Sequence, residues 1–235
     1  YAWYNFWLSK TGSQAIIATI FGEYIAWIIG VGNVGDGNIA SKIFAILLTI
    51  ALAVINCCGI RESANLQNLL TTIKLGLVIF VFIAAVVSGI YDHSNTLIAN
   101  FSNDNASNGS VFGFFTAMVA ALWAFDGWAD LNFLAEELYD PSRNIPRVMT
   151  IGIGIVTLVY LLANVAYLIV LLSEQIEDAT AIAIDFGYSA GGNRNNGAIL
   201  ATILAAGVAI ATAGSDNGKD FRCYISITNI TNPNY

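Results

Sequence analysis

Apolar residues in this chain gather into long blocks near 14–32, 39–57, 67–90, 111–135, 148–172 and 197–215, parted by short segments rich in Gly, Asn, Asp and Pro. None of the blocks alternates with the period of a half-buried strand. Each approaches the ~20 residues that a helix rising 1.5 Å per residue needs to cross ~30 Å of hydrocarbon. The pattern predicts an all-α, polytopic membrane protein of about six transmembrane helices, because a helix satisfies its own backbone where no water can.

The fourth block is interrupted. Residues 122–133 read Leu-Trp-Ala-Phe-Asp-Gly-Trp-Ala-Asp-Leu-Asn-Phe. A carboxylate at the centre of a spanning helix costs about 2.5–3.5 kcal/mol on insertion scales, and Gly127 loosens the backbone ladder beside it. Broken backbone persists in a membrane where it is packed in protein or lines a water-filled cavity. Secondary transporters build ligand sites from such breaks, since the freed N–H and C=O groups grip the ligand. A broken helix near 123–128 is therefore the candidate binding site; the structural alternative is a glycine-kinked helix with a snorkelling Asp126.

Composition sharpens this reading. The chain has 235 residues, of which 57% are hydrophobic and 11% charged, against about 25% charged in soluble domains. Six spans leave little room for a soluble domain, so 1–221 reads as a partial transmembrane domain. The polar stretch 222–235 reads as a divergent, disordered tail. The net charge of −7 is spread over loops and says little about a partner; with no basic patch, no nucleic-acid partner is expected, and the lipid bilayer is. Cys57, Cys58, Cys223 and the lone His93 have no metal-ligand spacing and form no disulfide framework, so neither a metal nor a cofactor is expected. The chain opens at Tyr1 without an initiator Met or a signal pattern and reads as a piece of a longer protein.

Basic residues set an orientation. Lys10, Arg61, Arg143, Arg147, Lys219 and Arg222 fall on one side of the predicted spans, and only Lys42 and Arg194 on the other. By the positive-inside rule, odd-numbered spans run outward. The 91–110 loop, placed outside, holds no Lys or Arg and carries Asn-x-Ser acceptor patterns at Asn100, Asn105 and Asn108, candidate N-glycosylation sites. Asn229 fits the pattern but falls inside. Pro141 and Pro146 predict a helix stop and restart across 136–147. Residues 173–184 are helix-like and acidic at their start, where carboxylates suit a helix N-terminus; they predict a short outer helix, a candidate lid.

The order of landmarks resembles the L-type amino acid transporters of the amino acid–polyamine–organocation superfamily. The residues that carry it are Trp123-Ala-Phe-Asp-Gly-Trp128, Leu131-Asn-Phe, Glu136-Glu137, Pro141-x-Arg-Asn-x-Pro146, Ile55-Asn-Cys-Cys-Gly with Leu66-Gln-Asn, Lys74, Thr157-Leu-Val-Tyr with Asn164-Val-Ala-Tyr, Ala181-Ile-Ala-Ile-Asp-Phe-Gly187 and Gly214-Ser-Asp-Asn-Gly218. The resemblance implies family helices three to eight of about twelve, in a partial five-helix inverted-repeat (LeuT-type) fold whose helices one and six are unwound at the midplane. It also implies that Trp123 is the aromatic gate. The substrate ammonium would meet carbonyls along Trp123, Ala124 and Phe125, with Asp126 and Gly127 completing the break. Asp126 stands where many members have Gly, and would either favour a cationic substrate or order the break. Lys74, which by position alone reads as a snorkelling lysine, takes the place of the second sodium ion, with the Ser215 hydroxyl facing it.

Two features depart from the family pattern. The first span reaches Lys42 of the second sooner than the family pattern allows, so the outer part of family helix three is shortened, and the outer cysteine that links some members to a single-span glycoprotein is absent from that region, so a disulfide-linked partner is not supported. The tail after Phe221 also diverges.

These readings converge on a non-enzyme: a sodium-independent amino acid transporter or exchanger working by alternating access, multi-pass in the plasma membrane. Two rivals stand beside it. A non-transporting or decayed membrane paralogue is compatible with the divergent tail. An intramembrane aspartyl enzyme would use Asp126 and Asp130, which at i, i+4 share a helix face. A proton-sharing pair must, however, converge to ~3 Å, and Gly35-Asp36-Gly37 lacks the order of such enzymes' motif.

Overall fold

The computed structural model describes residues 11–57, 60–91, 96–102, 111–125 and 140–231. Among them every regular element is a helix: α1 (Thr11–Ile29), α2 (Ile39–Cys57), α3 (Ile60–Tyr91), α4 (Thr96–Ser102), α5 (Val111–Ala124), α6 (Pro141–Val170), α7 (Ser173–Asp178), α8 (Ile182–Ala190) and α9 (Arg194–Thr231). Five of these, α1, α2, α3, α6 and α9, are long and apolar enough to cross a membrane. The fourth predicted block is present as α5, only 14 residues long. At ~1.5 Å per residue it spans ~21 Å and ends where the Asp-Gly interruption begins. Together these helices make a multi-pass membrane protein.

The bundle is organised around α9, which packs on α1, α2, α3 and α8, while α6 lies against α3 and α4. Small residues let the backbones approach, as is usual where lipid gives helices no hydrophobic reason to associate. Ala201, Ala205 and Ala209 are buried along α9 against Tyr24 of α1 and Ile184 of α8. A Cβ on Gly22 would strike the Ser41 carbonyl of α2, and one on Gly187 would strike Ala201. A second apolar core joins Val81 and Ala85 of α3 to Ala166 and Val170 of α6, with Phe186 and Leu204 between them. Large hydrophobics elsewhere on the spans, such as Ile46, Ile79 and Leu158, are exposed, the surface a bilayer requires.

Helix ends explain where boundaries differ from the hydropathy pattern. α1 stops at Ile29 rather than near 32 because Gly30 takes a positive φ of 79°. There Val31 N–H donates to Ala26 O and Gly30 N–H to Trp27 O, a Schellman closure that favours glycine. α6 begins at Pro141, where proline suits the first turn, and runs through Pro146, so Arg143 and Arg147 sit in its opening turns and not in a loop. Pro146 removes only one backbone bond there, near an end that is already short of partners. The backbone of α9 stays helical to Thr231, although 222–231 has no apolar periodicity; extending an existing helix avoids the nucleation cost.

The three connections assigned to the outside gather at one end of the bundle. A Cβ on Gly35, between α1 and α2, would meet the Thr180 methyl, between α7 and α8, at 2.7 Å. The Asn100 amide of α4 donates to the carbonyls of Leu168 and Leu171 at 2.9 Å each. Its oxygen accepts from Ser173 N–H at 2.9 Å and from the Ser173 hydroxyl at 3.2 Å. Asn100 is thus a clasp between α4 and the α6–α7 turn, and a glycan on Nδ2 would displace one of those two donors. Asn105 and Asn108 lie outside the described residues.

Candidate functional site

α5 is uniformly apolar until it stops. Trp123 and Ala124 are its last two residues, and Phe125 closes a tighter turn, its N–H donating to Leu122 O at 3.2 Å. The last carbonyls of any helix lack intrahelical donors and carry the negative end of its dipole. A helix terminus at this point therefore offers acceptors suited to an ammonium group. Phe125 packs on Tyr160 of α6, with ring centroids 5.6 Å apart and the planes inclined by 58°. Asp126, Gly127 and Asp130 lie outside the described residues.

Lys74 and Ser215 are brought together. The Lys74 ammonium donates to Ser215 Oγ at 2.8 Å, and that hydroxyl lies 3.3 Å from the Ala211 carbonyl one turn back on α9. Gly214 makes room for the ammonium: a Cβ there would sit 3.1 Å from Lys74 Cε and 3.4 Å from Nζ. The half-buried charge thus bridges α3 and α9 instead of stretching along its own helix.

One turn away lies a cluster to which the sequence assigned no role. The Asn217 amide donates to Gln67 Oε1 at 3.0 Å. Asn217 Oδ1 accepts from Asn56 Nδ2 at 3.3 Å, and that same Asn56 group donates to Leu52 O at 2.9 Å. Asn217 is fully buried, as is Asp216 beside it, and Asn56 nearly so. The set ties α2, α3 and α9 at the end of the bundle opposite Asn100. Its signal in the sequence is polar residues inside the apolar spans, which lipid-buried positions rarely tolerate without a partner.

At the Asn100 end, a cavity of about 320 Å³ opens between the α1–α2 connection and the α7–α8 pair, walled by Trp27, Asn33, Asp178 and Asp185 among others. Burial pushes the Asp185 carboxyl above its ordinary range, since desolvation penalises the charged form. The 173–184 segment is helical, as its sequence predicts, but as two pieces, α7 and α8; Gln175 Oε1 accepts the Leu172 N–H at 3.0 Å. α8 buries Ala183, Ile184, Phe186 and Gly187, so it is seated in the core and not draped over it. Asp36 of Gly35-Asp36-Gly37 serves its own loop, accepting from Asn33 N–H at 3.1 Å.

With this geometry in place, similarity to known proteins is specific. The family model described as amino acid permease matches residues 1–218. The chain belongs to the amino acid permease family. It is 29% identical over 226 residues to the b(0,+)-type amino acid transporter 1 of Mus musculus, covering 94% of this chain and 43% of that one. Against the Homo sapiens protein of the same name identity is 32% over 225 residues, with the same coverage. The large neutral amino acids transporter small subunit 2 of Oryctolagus cuniculus is 29% identical over 209 residues, covering 89% of this chain and 38% of its own length. The chain thus spans less than half the length of these relatives. These relatives are named as amino acid transporters or a transporter subunit, and membership of the permease family speaks for a non-enzyme and against the aspartyl-enzyme rival.

Proposed function

We propose that the protein carrying this chain moves amino acids across the plasma membrane by alternating access, without sodium and as an exchanger. The observation that carries the proposal is the Lys74–Ser215 bond, found in a chain of the amino acid permease family. A fixed ammonium between two spans supplies the positive charge that a sodium ion would otherwise bring. Sodium then has no site to fill, and the transport cycle runs on substrate alone.

The break after Ala124 is the proposed substrate site. Carbonyls at the end of α5 accept hydrogen bonds from the α-ammonium and Trp123 closes over the substrate; Asp126 and Gly127 are assigned to the same site by the resemblance. Binding drives the cycle only through its different affinity for the outward-open and inward-open states.

The test is a pair of substitutions in the complete protein. Lys74→Ala should cripple turnover far more than it alters the half-saturating substrate concentration. Lys74→Arg should restore it only in part, because a planar guanidinium presents its donors in a fixed fork, not as a compact point charge. A lysine serving only to snorkel would tolerate both changes, and that result would withdraw the proposal.

A further inference from the structure

Tyr160 has no assigned role, yet it is the side chain of α6 that meets the broken end of α5. Its ring lies 5.6 Å from that of Phe125, at an inclination typical of attractive aromatic pairs. Seven residues on, and therefore on nearly the same stripe of the helix, Tyr167 makes an edge-to-face contact with Phe186, centroids also 5.6 Å apart. Phe186 is fully buried in the core that joins α3, α6, α8 and α9. Between the two tyrosines, the Asn164 amide donates to the Tyr160 carbonyl at 2.8 Å. α6 is thus anchored by one aromatic pair in the packed core and presents a second aromatic to the point where α5 ends.

Phe125 follows the last residue of α5. It sits in the turn that closes α5 and is 37% exposed, as Tyr160 is 39% exposed. A carbonyl at this turn aims correctly only if something holds the turn. We propose that Tyr160 is a positioning residue for the substrate site: its ring fixes Phe125, and so fixes the direction of the carbonyls that receive the substrate ammonium. The proposal rests on the reading of the end of α5, Trp123 to Phe125, as the substrate site. It adds that the specificity of that site depends on a neighbouring helix, through the ring contact of Tyr160 with Phe125.

Two measurements on the complete protein test it. In the first, saturation kinetics of amino acid uptake are compared for Tyr160→Ala, Tyr160→Phe and the lipid-facing control Leu161→Ala, each normalised to surface protein. An aromatic pair contributes enough for its loss to weaken binding by roughly two- to tenfold. Tyr160→Ala should raise the half-saturating concentration by that factor, with a smaller change in maximal rate. Tyr160→Phe should match wild type, as should the control. A Tyr160→Ala protein with unchanged half-saturation, or a Tyr160→Phe protein as impaired as Tyr160→Ala, overturns the proposal. The second measurement needs no transport. With Cys57, Cys58 and Cys223 replaced, the pair Phe125→Cys and Tyr160→Cys should be joined by a short bifunctional thiol reagent, and substrate should slow the reaction. A pair that fails to cross-link while each single cysteine reacts overturns the contact itself. Wild-type protein that takes up no amino acid, but whose pair cross-links, defeats the functional reading and leaves the packing role standing alone.

Discussion

Asn217 is the most exacting test of how the spans are held together. Its amide donates to Gln67 Oε1 at 3.0 Å, and its oxygen accepts from Asn56 at 3.3 Å, in a position with no solvent exposure. Hydrogen bonds between membrane helices average about 0.6 kcal/mol and reach about 1.7. Leaving a buried acceptor without its donor costs about 1–3 kcal/mol. Asn217→Ala removes both bonds and leaves the half-buried Gln67 Oε1 without that donor, so it should destabilise the bundle toward the low end of that range, by about 1–2 kcal/mol. The two bonds should not contribute equally. Asn56 keeps its 2.9 Å bond to Leu52 O when Asn217 is gone, whereas Gln67 keeps no equivalent partner among the described residues. Double-mutant cycles in mixed micelles, read by equilibrium unfolding, should therefore give a coupling of about 0.6–1.7 kcal/mol for Asn217 with Gln67, and a smaller one for Asn217 with Asn56. Additivity of Asn217→Ala and Gln67→Ala within about 0.3 kcal/mol, or the opposite order of couplings, would refute the assignment.

Three further outcomes follow from single residues. Gly22→Ala drives a Cβ into the Ser41 carbonyl, with Ala45 N 3.1 Å away; such overpacking costs about 1–3 kcal/mol, and it should lower the unfolding temperature, while Gly152→Ala, with nothing within 4 Å, should not. Asp185 is raised by burial, so the folded state binds its proton more tightly than the unfolded chain, and stability falls as pH rises from the unfolded carboxyl's ~3.9 through the folded value. Asp185→Asn should then raise the unfolding temperature at neutral pH, with a gain that shrinks on acidification; a gain that is absent or independent of pH contradicts the cause given. Because the Asn100 amide is committed to Leu168 and Leu171, glycosidase treatment should shift the protein made in eukaryotic cells equally with or without Asn100→Gln, and the shift should vanish when Asn105 and Asn108 are both replaced by Gln.

Hydropathy made the spans legible because a bilayer sets one length scale and one polarity. It did not locate their ends, which are settled by local chemistry: the positive φ of Gly30 that stops α1, and the proline that starts α6 at Pro141. The Lys74–Ser215 contact was reached through a resemblance, not through pattern. The Asn56–Asn217–Gln67 set shows why pattern is insufficient: Asn217 lies 161 and 150 positions from its two partners, and the three meet only if three helices take particular rotations. Apolar blocks, hydrophobic all round, do not encode that phase. Asn100 teaches the same lesson in reverse, since an acceptor motif says nothing of whether its amide is already spent on two carbonyls.

The central claim is that a fixed ammonium at Lys74 makes sodium unnecessary. The most direct measurement reconstitutes the complete protein in vesicles loaded with unlabelled amino acid and follows entry of labelled amino acid, first in sodium and then with choline in its place. The account predicts equal initial rates in the two media, with entry dependent on the internal load. Entry that collapses when sodium is withdrawn would contradict it.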